Sequence, residues 1–417
     1  MKVTRFISTL LLVCGLSLTT NVTATVQENN IIMPGISNAQ LREFHETTDL
    51  AEKIWNRLTS EFVTQFEASQ YIEAAVTAKI AVDLAERNFG VDHINTADSL
   101  LKLGIASESL GNFTAAREHM IGALVILEEQ LGSMHEDVSV VYTNLANLEF
   151  EQNNPSASET YHKKALKIRV YQHGKHDPTV AQSLYNLAVL YDDKQDYKKA
   201  QYHYETALKI WTASYGSTHP YIANTLNNLA NVYAALGDND SAIKMHKQSL
   251  SVRKKLYGSY HTEVARSLIN LGKLYVKINA YEKAKPIYTE AVNVAENLFG
   301  STHPQVAMLL YSLANIYHIQ GRMDSKKAAP RKVSMTTKHD KNLNNDQNET
   351  VLTQEYYQKA LPLYERALNI LDQTIGTDHP AVVAMMGEMA MLYKSIGNRG
   401  KADKMQARMS NVKEYKH

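Results

Sequence analysis

Apolar residues recur along this chain at helical spacing, in two bouts per unit. Residues 180–193 place Leu184, Leu187, Ala188 and Tyr191 on one face, and residues 196–212 do the same with Ala200, Tyr204, Ala207 and Leu208. The pattern predicts a helix, a short turn near residue 195, and a second helix. The same columns return as Leu226, Leu229, Ala230 and Tyr233, then as Leu268, Leu271, Gly272 and Tyr275, then as Leu310, Leu313, Ala314 and Tyr317. Small residues such as Ala188, Ala200 and Ala207 let two helix axes approach closely, while Tyr191 and Tyr204 fill the space beside them.

The period is explicit in the glycines. Gly90, Gly132, Gly174, Gly216, Gly258 and Gly300 are spaced by 42 residues, and the next copy, Gly376, comes 34 residues late. Matching the flanks, with Gly321 in the column of Gly237 and Ala360 in that of Ala200, Ala242 and Ala284, places the extra residues at 322–355. That insertion lacks apolar periodicity, is rich in Lys, Asn, Thr and Asp, and reads as a disordered loop. Its first part, 322–341, is basic and its second, 342–355, acidic.

Units built this way resemble the tetratricopeptide repeat, and the 42-residue period with G-x-x-H-P junctions and N-L-A-x-L-Y first helices is similar to the kinesin light chain type. The likeness runs over about residues 55–413. It implies an all-α fold: a right-handed superhelix, an α-solenoid of antiparallel helix pairs whose first helices line a concave groove. The expected layout is a leader (1–24), a linker (25–39), a degenerate N-terminal helix pair or cap (40–95), the 42-residue array (96–321), the insertion (322–355), and the end of the array with a C-terminal cap (356–417).

The leader stands apart in composition. Lys2 and Arg5 precede an apolar run from Phe6 to about Leu18, and Val22-Thr23-Ala24 offers small residues for cleavage after Ala24. These are the parts of a secretory signal peptide, so we expect an exported protein, periplasmic or secreted, with no transmembrane segment once the leader is gone. The single cysteine, Cys14, lies within the leader; Val13 before it is bulkier than lipid-attachment sites prefer. The exported chain would have no thiol, no disulfide and no cysteine ligand. A formal net charge of +1 gives no sign of a nucleic-acid partner.

Two polar columns are candidates for chemistry. His93, His135, His219, His261, His303 and His379 share one column, which could in principle bind metal. The better account is helix capping: Pro178, Pro220, Pro304 and Pro380 follow at the first helical position, and Asp177, a good cap but a poor substitute in an imidazole site, takes the column in the third unit. Copies one repeat apart are also about 10 Å from one another, too far to share a metal ion.

The second column is Asn144, Asn186, Asn228 and Asn270, joined by Asn147 and Asn231 three positions on, and by Asn224 and Asn227. Intrinsic propensity does not account for asparagine at mid-helix. These amides are either solvated, or bond neighbouring first helices to one another, or clamp an extended peptide backbone, for which donor and acceptor in one group are suited. The resemblance implies the third, since the matching asparagines of kinesin-light-chain-like arrays face the groove and hold peptide ligands. Tyr185, Tyr311, Lys273 and Arg266 would line the same face, and Lys102, Ser312 and Glu388 replace asparagine in the outer units. No nucleotide-binding glycine loop, zinc-protease helix motif or nucleophile elbow is present, and we expect neither cofactor nor catalysis. The expectation is a scaffold for a peptide or partner protein; a structural component of an envelope or secretion complex is the alternative.

Overall fold

The computed structural model describes the backbone of residues 38–328 and 343–414, with side chains over 49–323 and 353–410. The expected leader, most of the linker and residues 329–342 of the insertion lie outside the described residues. Among the described residues all regular structure is helical. The first pair is α1 (Asn38–Glu67) and α2 (Tyr71–Asn88). Then follow α3 (Ile94–Ser109) with α4 (Phe113–Leu131), α5 (Glu136–Glu151) with α6 (Pro155–His173), and α7 (Pro178–Asp193) with α8 (Tyr197–Tyr215). Next come α9 (Pro220–Ala235) with α10 (Asn239–Tyr257), and α11 (Thr262–Lys277) with α12 (Tyr281–Phe299). The last pairs are α13 (Pro304–Ala328) with α14 (Leu343–Thr374), and α15 (Pro380–Ser395) with α16 (Arg399–Glu414). The chain divides into two compact units between Ser214 and Tyr215.

Two left-handed columns punctuate this order. Within a pair, the turn residue has positive φ: Gly111 (79°), Asn153 (61°), Gln195 (60°), Gly237 (86°), Asn279 (59°) and Gly397 (76°). That conformation lets the next N–H reach back five residues, as in Asn112 N–H to Ser107 O (2.8 Å) and Asp196 N–H to Tyr191 O (2.8 Å), closing the end of the first helix. Between pairs the 42-residue glycines hold φ between 73° and 108° and end the second helix.

The small columns are packing positions. Ala74, Ala116, Ser158, Ala200, Ala242, Ala284 and Ala360 are all 0% exposed, which is what close helix contact requires. Trp211, Tyr204 and Leu187 are among the largest fully buried side chains of the first unit, and Tyr364 and Tyr393 of the second. In the degenerate first pair Phe62 stands in the small column of the first helices; it is buried and stacks on Phe66 with ring centroids 5.6 Å apart.

At the insertion the helices run past their register. A first helix of 16 residues would stop near residue 319, yet α13 continues to Ala328; α14 begins at Leu343, well before Tyr357, the register match of Tyr281. Gly321 therefore differs from Gly237: it lies inside a helix and packs on the Tyr357 ring, where an added Cβ would overlap it.

Candidate functional site

The junction histidines are caps. His93, His135, His219, His261 and His379 occupy N-cap positions in extended backbone, and with His303 each accepts, at Nδ1, the N–H two residues on, at 3.1–3.3 Å. Asp177 makes the same bond to Thr179 N–H at 2.8 Å. Four of the imidazoles also pack on the aromatic residue four positions earlier: Tyr215–His219, Tyr257–His261 and Phe299–His303 stack with centroids 4.4–4.8 Å apart, and Phe89–His93 is tilted at 5.2 Å. An Nδ1 that accepts is unprotonated, so the capping form is the neutral ring.

The asparagines divide by the unit that holds them. In the first unit Asn144 is buried and its Nδ2 donates to Val140 O of its own helix (2.9 Å); Asn147 is buried beside it on α5. Asn186 is buried on α7 and its Oδ1 accepts from Gln182 Nε2 (2.9 Å). Tyr185, half-buried, packs edge-on to Tyr204 and tilted to Trp211 at 5.5 and 5.6 Å.

In the second unit the amides are linked. Asn224, Asn227, Asn228 and Asn231 fall at i, i+3, i+4 and i+7 on one face of α9. Asn270 on α11 donates through Nδ2 to Oδ1 of Asn227 (2.8 Å), which is buried like Asn147 and Asn186, and Asn227 Nδ2 donates to Asn228 Oδ1 (3.3 Å). Lys277 Nζ reaches Ala234 O (3.2 Å), so α9 and α11 are tied side by side at two levels. Asn224 Oδ1 accepts from Arg253 (2.8 Å). Asn231 and Lys273 are exposed on this surface, and Arg266, also exposed, pairs with Glu263 (2.5 Å).

Two features carry no mark of their own in the sequence patterns above. Arg169 and Arg253, 84 residues apart, are buried arginines on second helices. Arg169 donates to Ser139 (3.1 Å), Thr143 (3.2 Å) and Ser183 (2.7 Å), joining α6 to the first helices on either side. Arg253 joins α10 to α9 and α11 through Asn224, Ser267 (2.7 Å) and Glu263 (3.1 Å). Burial among these mostly neutral partners lowers the Arg169 guanidinium to about 10. The available signal was a serine 14 residues after each arginine, Ser183 and Ser267.

Buried titratable groups form the second feature. His162 is lowered to about 3 by burial and then by Arg169, and His246 to about 4 by burial and then by Arg253. His318 is also lowered to about 4, by burial and Arg322. On α3, Asp98 and Lys102 form a buried ion pair, with Lys102 in the asparagine column. Glu108 is pushed up to about 8 by burial and by nearby Glu151. No group of three or more histidines, cysteines or carboxylates suited to a metal ion occurs among the described residues.

A periodic stack of helix pairs with capped junctions and polar first-helix faces defines the class: a helical repeat protein. The tetratricopeptide-repeat signature matches residues 99–169, 179–255 and 221–297, so the chain carries tetratricopeptide repeats, a fold typical of protein–protein interaction scaffolds. Among solved structures it is similar to a signal-transduction ATPase with a tetratricopeptide repeat sensor from Pyrococcus horikoshii: TM-score 0.58, 17% identity, over 91% of this chain and 50% of that one. This chain thus spans half of that protein's length, and the likeness is one of fold. It is also similar to BtubC (BKLC) from P. vanneervenii, with TM-score 0.48 and 20% identity over 65% of this chain and 98% of that one. A putative kinesin light chain from Podosopora anserina gives TM-score 0.44 and 20% identity over 58% and 98% of the two chains. No curated protein matches the sequence. No described helix is long and apolar enough to cross a membrane.

Proposed function

We propose that this chain is an exported scaffold that binds a peptide or partner protein along its first-helix faces, reading backbone through the asparagine amides. One observation carries the reading: the Asn270–Asn227–Asn228 chain of amides beside exposed Asn231 and Lys273. A primary amide has two N–H donors and an oxygen with two lone pairs; the Asn270–Asn227 bond uses one donor of the former and one lone pair of the latter and fixes both groups in place. Pre-fixed amides bind an extended backbone without the cost of ordering loose side chains. The basic edge of α11 would then set preference among side chains. Export rests on the charged, apolar and small-residue segments of residues 1–24.

Selection of random displayed 12-residue peptides on the purified protein tests the binding. Asn228→Ala with Asn270→Ala should weaken selected peptides at least tenfold while leaving the helical circular dichroism unchanged. Undiminished affinity in that double variant would refute the amide reading. N-terminal sequencing of the protein recovered outside the cytoplasm should begin at Thr25; recovery of the intact chain inside the cytoplasm would refute export.

A further inference from the structure

The 42-residue register provides an internal control for which second-helix positions meet solvent. Residues 72, 76 and 80 of α2 correspond to Ser156, Thr160 and Lys164 of α6 and to Asp240, Lys244 and Gln248 of α10. In α2 the three positions are Ile72, Val76 and Ile80, exposed by 68%, 56% and 50%. Their opposite face is satisfied, with Ala74, Ala78, Ala81 and Ala85 buried. The matching positions of α6 and α10 are polar, as solvent-facing positions of a repeat array are. The first pair exposes an aliphatic stripe there instead, and α1 carries exposed Ile54 in the column where Val138 and Val180 are buried.

We infer that α2 packs against α2 of a second copy of the chain, forming a two-fold dimer at the first helix pair. Residues at i, i+4 and i+8 make a single ridge of the kind that interdigitates in the commonest helix–helix packing, at interaxial distances of about 8–10 Å. The Ile-Val-Ile ridge reads the same in both directions. A dyad at Val76 therefore sets Ile72 against the second copy's residue 80, and Ile80 against its residue 72, a self-complementary contact that closes at two copies. The charges flanking the ridge suit a copy of itself better than a charged partner. Lys79 is paired with Asp83 at 3.0 Å, and Glu73, Glu86 and Arg87 complete a nearly balanced set of three acids and two bases. Such a surface neither repels its twin strongly nor offers the net charge that would attract an anionic membrane or a basic protein. A three-residue ridge covers less surface than the specific interfaces of stable dimers, so the dimer is weak and reversible with concentration.

Sedimentation of the full-length protein over a hundredfold concentration range should show a monomer–dimer equilibrium. The combined change Ile72→Ser, Val76→Thr and Ile80→Lys, which copies α6 at the same register, should leave a monomer throughout, with the melting temperature and helicity retained. A second measurement does not depend on that variant folding. In a Cys14→Ser background the chain has no other thiol, so Val76→Cys should form an intermolecular disulfide on mild oxidation, whereas Tyr171→Cys, at a position 72% exposed, should not. A monomeric wild type, a triple variant that still dimerises, or equal cross-linking at both cysteines would each overturn the proposal. So would dimerisation that appears only after removal of residues 25–37, since the chain's own N-terminal segment would then be the occupant.

Discussion

Replacing His246 with tyrosine should flatten the acid side of the stability curve. His246 is 2% exposed, and its column holds Met120, His162 and Tyr204 in the first unit and Tyr288 and Tyr364 in the second, so a tyrosine has precedent there. Burial and the Arg253 guanidinium lower the imidazole to about 4 in the folded chain, against about 6.5 in the unfolded one. Below pH 6.5 the unfolded chain takes up a proton that the folded chain refuses. The neutral ring's contribution is thus fully present above that pH and is lost as pH falls toward 4. Each unit of pH well inside this window removes about 1.4 kcal/mol and less near its ends, so the loss between pH 6.5 and pH 4.5 is about 2 kcal/mol from this one group. His162, lowered to about 3, and His318, lowered to about 4, act in the same direction. Urea unfolding at pH 7.5 and pH 4.5, with amide exchange of α9, α10 and α11 to localise the effect, measures the difference. His246→Tyr should lose about 2.5 kcal/mol less than wild type on acidification. Equal losses in the two proteins would show that His246 is charged in the folded state, or that its column opens to water before the array unfolds.

Other perturbations follow from the same contacts. Arg253→Met should cost about 3 kcal/mol in urea, because Asn224, Ser267 and Glu263 lose a buried partner, and Arg253→Lys should not restore it because a single ammonium cannot span the three positions. His219→Ala should cost about 1 kcal/mol by loss of the α9 cap, whereas His219→Asp, which copies Asp177, should retain stability by thermal melting. Ala230→Asp places a carboxylate at a 0% exposed helix contact and should abolish cooperative melting of its neighbourhood, while Asn231→Ala on the exposed face should change stability by less than about 0.5 kcal/mol.

Much of this architecture was legible in the chain because its causes are local. A helix pair is set by apolar residues at 3.6-residue spacing, its junction by a glycine that must take positive φ, and its next start by a histidine or aspartate whose side chain reaches an N–H two residues away. All these interactions span a few residues and recur every 42, so they can be read without knowing what lies beside them. The capping role of the histidine column is one such reading, and the Asp177 bond to Thr179 has the geometry that the substitution implied.

The tertiary structure decided what equivalent columns do when their neighbours differ. Asn144, Asn228 and Asn270 share a column, yet Asn144 bonds its own helix while Asn270 crosses to Asn227, 43 residues away in sequence. Gly237 and Gly321 also share a column, but one is a left-handed turn and the other packs on Tyr357 inside a lengthened helix, because the insertion removes the turn. Arg169 and Arg253 became visible as staples once Ser139 and Ser183, or Asn224 and Ser267, were brought around them from separate helices. Sequence determined the period, the helices and their ends, since each follows from backbone geometry and short-range bonds. Which polar side chains hold one pair to the next, and which stay at the surface, depends on contacts between residues 14 to 43 positions apart, and only packing one pair on the next settles them.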